Sequence, residues 1–239
     1  MSRAKGIMKP LLLDNQDTTT LAELGRASLQ IVHDLKNQIN GLKLYATFLR
    51  RRMERSERPL DEQETVTKLI SGLDRAAGDM TTLVRLGRPI QLRPLQVDLS
   101  RVISEALKSV TESDSPATEF TNESGSESLA GEFDVQAMTE AIKAITEGAN
   151  GLIRGRDHGL SIHVMRNGAG EDATATIEWR GVKIDDGANP FHSLNGSVGI
   201  RLALAAKIIE AHGGSTEQES DRLRVRLRLH VANGAAATP

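Results

Sequence analysis

The chain has 239 residues, 38% hydrophobic and 26% charged, a balance that supplies one or two packed domains and excludes wholesale disorder. The absence of cysteine excludes disulfides, thiolate metal sites, iron–sulfur clusters and a cysteine nucleophile, and is in keeping with a reducing, cytoplasmic compartment. One Trp, one Tyr and four Phe are too few for a reader of stacked bases, the net charge of −2 offers nucleic acid no attraction, and no apolar run of about 18 residues exists to insert into a membrane.

Residues 1–94 hold 16 Lys+Arg against 11 Asp+Glu and residues 95–239 hold 14 against 21, so two chemically different parts follow one another. Residues 1–17 lack periodicity and read as a disordered arm, whose apolar run Leu11–Leu13 is too short for an export signal. Thr20 and Glu23 form a capping-box pattern that predicts a helix start. From there Leu21, Leu24, Ser28, Ile31, Leu35, Gln38, Leu42, Tyr45 and Leu49 step in threes and fours, a coiled-coil-like seam on one long helix. Residues 56–59 break it. A second helix begins near Asp61, carries Val66, Leu69, Leu73, Ala76, Met80 and Leu83 on one stripe, and ends at Gly87-Arg88-Pro89. A hairpin over 18–88 leaves each seam half covered, so a homodimer forming a four-helix bundle is the expected state.

Residues 88–98, with Pro89 and Pro94, read as a connector. Asp98 caps a helix over Leu99–Ser113, and the polar stretch 111–128 holds one short strand at 117–121. Phe133-Asp134 opens a helix running to Ile153, with Val135, Met138, Ile142 and Ile145 on one face. Strands at 160–166 and 173–180 form a hairpin about Asn167-Gly168. A helix from Gly199 to His212 ends at Gly213-Gly214, where a charged His212 suits the helix dipole. From Arg222 the chain alternates Leu223, Val225, Leu227 and Leu229 inward with Arg222, Arg224, Arg226 and Arg228 outward, the pattern of a strand with one wet face. The fold class is α+β: a helical hairpin, then an α/β sandwich with a mixed or antiparallel sheet over 95–231, then a disordered tail at 232–239.

His33 is the residue with chemical promise. With Leu21 at heptad position a it falls at f, pointing out of the bundle, with Asn37 and Asn40 on the same face and Asp34 and Lys36 alongside. An exposed imidazole beside a carboxylate can act as a nucleophile, Asp34 orienting the proton on one ring nitrogen while the other attacks phosphorus. Periodicity alone leaves such a histidine inert more often than reactive. No histidine pair has metal-ligand spacing on a common helix face, and no metal site is expected.

The string His33-Asp34-Leu35-Lys36-Asn37-Gln38, on the first helix of a long hairpin, resembles the phosphoacceptor box of two-component histidine kinases. The segments around Val97-Asp98-Leu99, Phe133-Asp134 and Gly199 to Gly214 are similar, in order and spacing, to that family's ATP-binding domain of the GHKL type. The resemblance implies that His33 is phosphorylated, that Asp34 assists proton transfer, and that Asn37 can position water. It also marks losses: the family's two helix asparagines fall on Ala144 and Gly148, its adenine-binding aspartate on Trp179, and its phosphate-binding turn on Ser197, Val198, Gly199 and Arg201, of which only Gly199 is kept. Trp has no acceptor for an adenine amino group.

The expected function is therefore a histidine phosphotransfer protein, a phosphotransferase passing a phosphoryl group between His33 and receiver-domain aspartates without binding ATP. The receiver of a response regulator supplies the Mg²⁺. Lys36, Asn40 and Lys43 are the expected partner-binding residues, and an upstream histidine kinase is a further candidate partner. Two alternatives stay open: an active ATP-dependent histidine kinase lacking a sensor domain on this chain, and a non-enzymatic dimeric scaffold or regulator.

Overall fold

A computed structural model describes residues 15–54, 60–111, 118–125, 127–153, 159–184, 189–219 and 221–229. The chain divides at Gly87–Arg88 into two units.

The first unit is a helical hairpin of α1 (Asn15–Glu54) and α2 (Leu60–Leu86). Its first helix starts at Asn15, so residues 15–17 are helical rather than part of an arm, and Thr20 lies inside the helix instead of capping it. Residues 1–14 and the break at 56–59 lie outside the described residues. The stripe of α1 that packs against α2 is not the expected seam. Ala46 is buried with Val66 and Ile70, with Met53 and Leu73 packed on them. Leu29, Val32 and Ile39 are half-buried on the same stripe, and Leu29 closes on Gly87, where an added Cβ would lie 2.7 Å from a Leu29 methyl. The expected seam residues Ile31, Leu35, Leu42, Tyr45 and Leu49 stay exposed, Tyr45 by 74%. Two heptad stripes run side by side along α1, and a spacing of threes and fours does not say which of them the hairpin uses.

The second unit contains, in chain order, β1 (Leu95–Asp98), α3 (Leu99–Thr111), β2 (Thr118–Asn122), β3 (Ala130–Phe133), α4 (Val135–Leu152), β4 (Leu160–Asn167), β5 (Thr174–Arg180), α5 (Gly196–Ala211), β6 (Ser215–Glu219) and β7 (Arg222–Arg228). The main sheet has the order β2-β4-β5-β7-β6, with β2 parallel to β4 and every other pair antiparallel, while β1 and β3 pair separately. Strands β1, β3 and β6 were not expected. β1 is short and lies in what reads as connector, and Ser-Thr-Glu-Gln-Glu in β6 has no apolar alternation. Helix α5 starts three residues before Gly199, at Gly196, and Gly213 ends it in the left-handed region at φ 71°.

The core follows strand alternation. Ala175, Ile177 and Trp179 of β5 and Leu223, Val225 and Leu227 of β7 point inward, sealed by Met138, Ile142 and Ile145 of α4 and by Leu202 and Ile209 of α5. The opposite face carries charge in pairs. Glu178, 4% exposed at its side chain, accepts from Arg224 Nε at 2.7 Å and Arg180 Nε at 2.8 Å, while Glu217 and Glu219 take Arg226 and Arg224. The arginine stripe is thus largely neutralised within its own sheet.

Candidate functional site

His33 sits on the outward face of α1, its side chain 55% exposed. Its Nδ1 lies 3.5 Å from Asp34 Oδ1 and 3.4 Å from Asn37 Nδ2. Protonated, Nδ1 donates toward Asp34; unprotonated, it accepts from Asn37. Both approaches are long and therefore weak, so they orient the ring more than they bind it. With Nδ1 engaged, Nε2 has no hydrogen-bond partner among the described residues, and the side chain is more than half exposed. A free imidazole nitrogen whose opposite nitrogen is addressed by a carboxylate is a competent nucleophile.

The structure brings Asp34, Asn37 and Asn40 to the His33 side, all exposed. Lys36 is half-buried at the edge facing α2. Lys43 is turned away from the expected partner surface: Nζ pairs with Asp74 Oδ1 at 2.5 Å across the hairpin. Sequence reasoning missed Gln30, whose Nε2 donates to Asp34 Oδ1 at 3.0 Å and steadies that carboxylate. The spacing of four residues was the available signal. It also missed Leu44 and Phe48, 68% and 69% exposed on heptad positions outside both apolar stripes.

In the second unit, Trp179 is fully buried and its indole N–H donates to Thr146 Oγ1 at 2.9 Å. The Thr146 hydroxyl in turn donates to the Ile142 carbonyl at 2.8 Å. Thr146 stands on α4 between Ala144 and Gly148, so the indole fills the space between sheet and helix at that level. Gly148 receives Leu202 of α5: a Cβ there would lie 2.8 Å from a Leu202 methyl. Arg201 is paired with Glu147 of α4 at 3.2 Å. At Gly199 a Cβ would lie 2.8 Å from the Ser193 carbonyl oxygen, so this glycine is required by close backbone approach. A hollow of about 330 Å³ remains beside these residues, lined by Leu152, Lys183, Ile184, Asn195, Val198 and Leu202 among others. Neither Ala144 nor Gly148 has a group to ligate a cation, and among the described residues no cluster of three His, Asp or Glu side chains has the arrangement of a metal site.

No protein-family model matches the chain. The nitrogen regulation protein NtrY of Azorhizobium caulinodans is 26% identical over 256 aligned residues, which take in 95% of this chain; the chain spans 31% of that protein's length. The crystal structure of full-length ShkA in complex with AMPPNP matches with a TM-score of 0.62 at 14% identity, covering 86% of this chain and 46% of that one. The histidine kinase AdeS of Acinetobacter baumannii matches with a TM-score of 0.51 at 15% identity, covering 80% of this chain and 96% of that one. Similarity to NtrY along nearly its whole length, and a helical hairpin followed by an α/β unit as in ShkA and AdeS, make this chain similar in sequence and in fold to two-component histidine kinases.

Proposed function

We propose that the chain is a histidine phosphotransfer protein of two-component signalling, acting as a homodimer and relaying phosphoryl groups without binding ATP. Nε2 of His33 attacks the phosphorus of a receiver's aspartyl phosphate; the N–P bond forms as the P–O bond breaks, and the aspartate leaves as a carboxylate. Asp34 stabilises the proton that stays on Nδ1. The step runs in either direction, because neither side loses a group to solvent. The receiver brings its own Mg²⁺, and the face around His33 supplies in-line positioning.

The observation that carries the ATP-free reading is the filled interior beneath α4, where Trp179 is bonded to Thr146 and Leu202 closes on Gly148. A nucleotide needs an acceptor for its base and donors or a cation for its phosphates. Trp179 offers no acceptor, and Arg201 is already paired with Glu147. The hollow of about 330 Å³ favours a second reading, an active kinase with a reshaped cleft.

Two labelling experiments separate them. Incubation with γ-labelled Mg–ATP is expected to leave the protein unlabelled, whereas acid-labile label would establish the kinase. Incubation with a receiver labelled at its aspartate is expected to transfer label to the wild type. His33→Ala is expected to lose transfer completely while keeping the wild-type mass in solution; retained transfer would overturn the assignment of His33.

A further inference from the structure

The segment that leads into the second unit is tied down through backbone groups. Arg93 N–H donates to Asp134 Oδ2 at 2.8 Å, and Lys207 Nζ donates to the Arg88 carbonyl at 2.7 Å. Asp134 is the hub of this arrangement. Its Oδ1 caps α4 by accepting from Ala137 N–H at 3.0 Å, and its own backbone N–H donates to His212 Nε2 at 3.1 Å. From the other side His212 Nδ1 lies 2.8 Å from the Ile208 carbonyl oxygen. A peptide N–H only donates and a carbonyl only accepts, so the contacts specify a neutral imidazole, protonated on Nδ1 with its lone pair on Nε2. This reverses the charged role that its place at a helix end suggests. Phe133, 6.1 Å away and tilted by 43°, packs beside the ring.

We infer that His212 is a proton-sensitive latch on the connector at 88–94. Protonation at Nε2 removes the acceptor that the Asp134 N–H has among the described residues. The imidazolium then has the Asp134 carboxylate beside it as an anion, the same carboxylate that holds Arg93 N–H and caps α4. Drawing that carboxylate toward the ring releases the connector from the α/β unit. The other ionisable groups around the latch are Glu132, one residue before Phe133 on β3, Glu210 and Lys207 on α5, and Arg88 and Arg93 of the connector itself. Glu132 and Glu210 are exposed and carry the weaker influence.

The test is hydrogen exchange of the Arg93 and Asp134 amides in the full-length protein, corrected for the chemical exchange rate at each pH. When the pH is lowered from about 7.5 to about 5.5, wild-type protection at both amides is expected to fall about fivefold or more, the worth of one hydrogen bond. His212→Gln keeps a non-titrating acceptor and donor, and its protection is expected to stay flat over the same range. Constant protection in the wild type, or an equal fall in His212→Gln, would overturn the latch. Ring nitrogen chemical shifts of the wild type give a check that needs no variant: a proton on Nδ1 at neutral pH supports it, and a proton on Nε2 sinks it.

Discussion

Glu178 shows how one buried charge organises a surface. Its carboxylate lies under Arg180, Arg222 and Arg224, with β6 contributing Glu217 and Glu219 from the edge. Burial opposes the charge, and the hydrogen bonds from Arg180 and Arg224 overcome that opposition and hold the carboxyl below its ordinary value of 4.5. A group with a depressed folded pKa stabilises the fold above its unfolded value, and that contribution disappears as pH falls through the folded one. Glu178→Gln is accordingly expected to cost about 3 kcal/mol at pH 7, because Arg180 loses its carboxylate partner and Arg224 keeps only Glu217 and Glu219. In urea unfolding the gap between variant and wild type is expected to narrow steadily once pH drops below about 4.5; a gap independent of pH would show that Glu178 acts by packing alone. The alternation of Arg222 to Arg228 was legible in the sequence. Its neutralisation was not, since β5 and β7 are separated in the chain by α5 and β6, and no local pattern reports the register that sets Glu178 opposite Arg224.

The helices of the hairpin carry two apolar stripes with different tasks. One, through Ala46, Val66 and Ile70, holds α1 to α2 within the chain. The other, through Ile31, Leu35, Leu42 and Leu49, lies uncovered on a single chain. Contiguous exposed apolar surface of this kind is the mark of an association face, and a second copy of the same hairpin covers it in the proposed dimer. Replacing Leu35 and Leu42 together by Asp is expected to halve the mass measured by light scattering while leaving helical ellipticity within about a tenth of wild type. Ile70→Ala acts on the other stripe. It is expected to lower stability by about 2–4 kcal/mol, read by thermal unfolding at fixed concentration, before any change in mass. An unchanged mass in the double variant would move the association face elsewhere. The existence of both helices was legible from spacing, as was the outward direction of His33. The assignment of stripes to partners was not, because Ala46 and Lys43 look unsuited to an interface until Asp74 and Ile70 are seen across from them.

At the scale of the whole molecule, the contact between α4 and α5 decides what the α/β unit can do. These two helices meet where Gly148 admits Leu202, with Arg201 and Glu147 paired beside them and the indole of Trp179 beneath. Ala144, Gly148 and Trp179, the positions that the ATP-free proposal turns on, were legible one by one from the string. That Leu202 closes on Gly148 and Trp179 bonds to Thr146 was not, because the packing of distant positions leaves no local signature. On the proposed ATP-free reading, this packing predicts that nucleotide binding cannot be restored by a single substitution. Gly148→Asn would place a Cβ 2.8 Å from a Leu202 methyl and an amide into the packed seam, so it is expected to cost about 1–3 kcal/mol in urea unfolding. Titration calorimetry with Mg–ATP is expected to give no binding heat for this variant, just as for the wild type. Paired with Leu202→Ala, the same substitution is expected to recover most of the stability, since the space that Asn needs is then present, and still to bind no nucleotide while Trp179 lacks an acceptor. Nucleotide binding by Gly148→Asn alone would mean that α4 and α5 part readily, and that the hollow beside Lys183 is a working cleft rather than a residue of one.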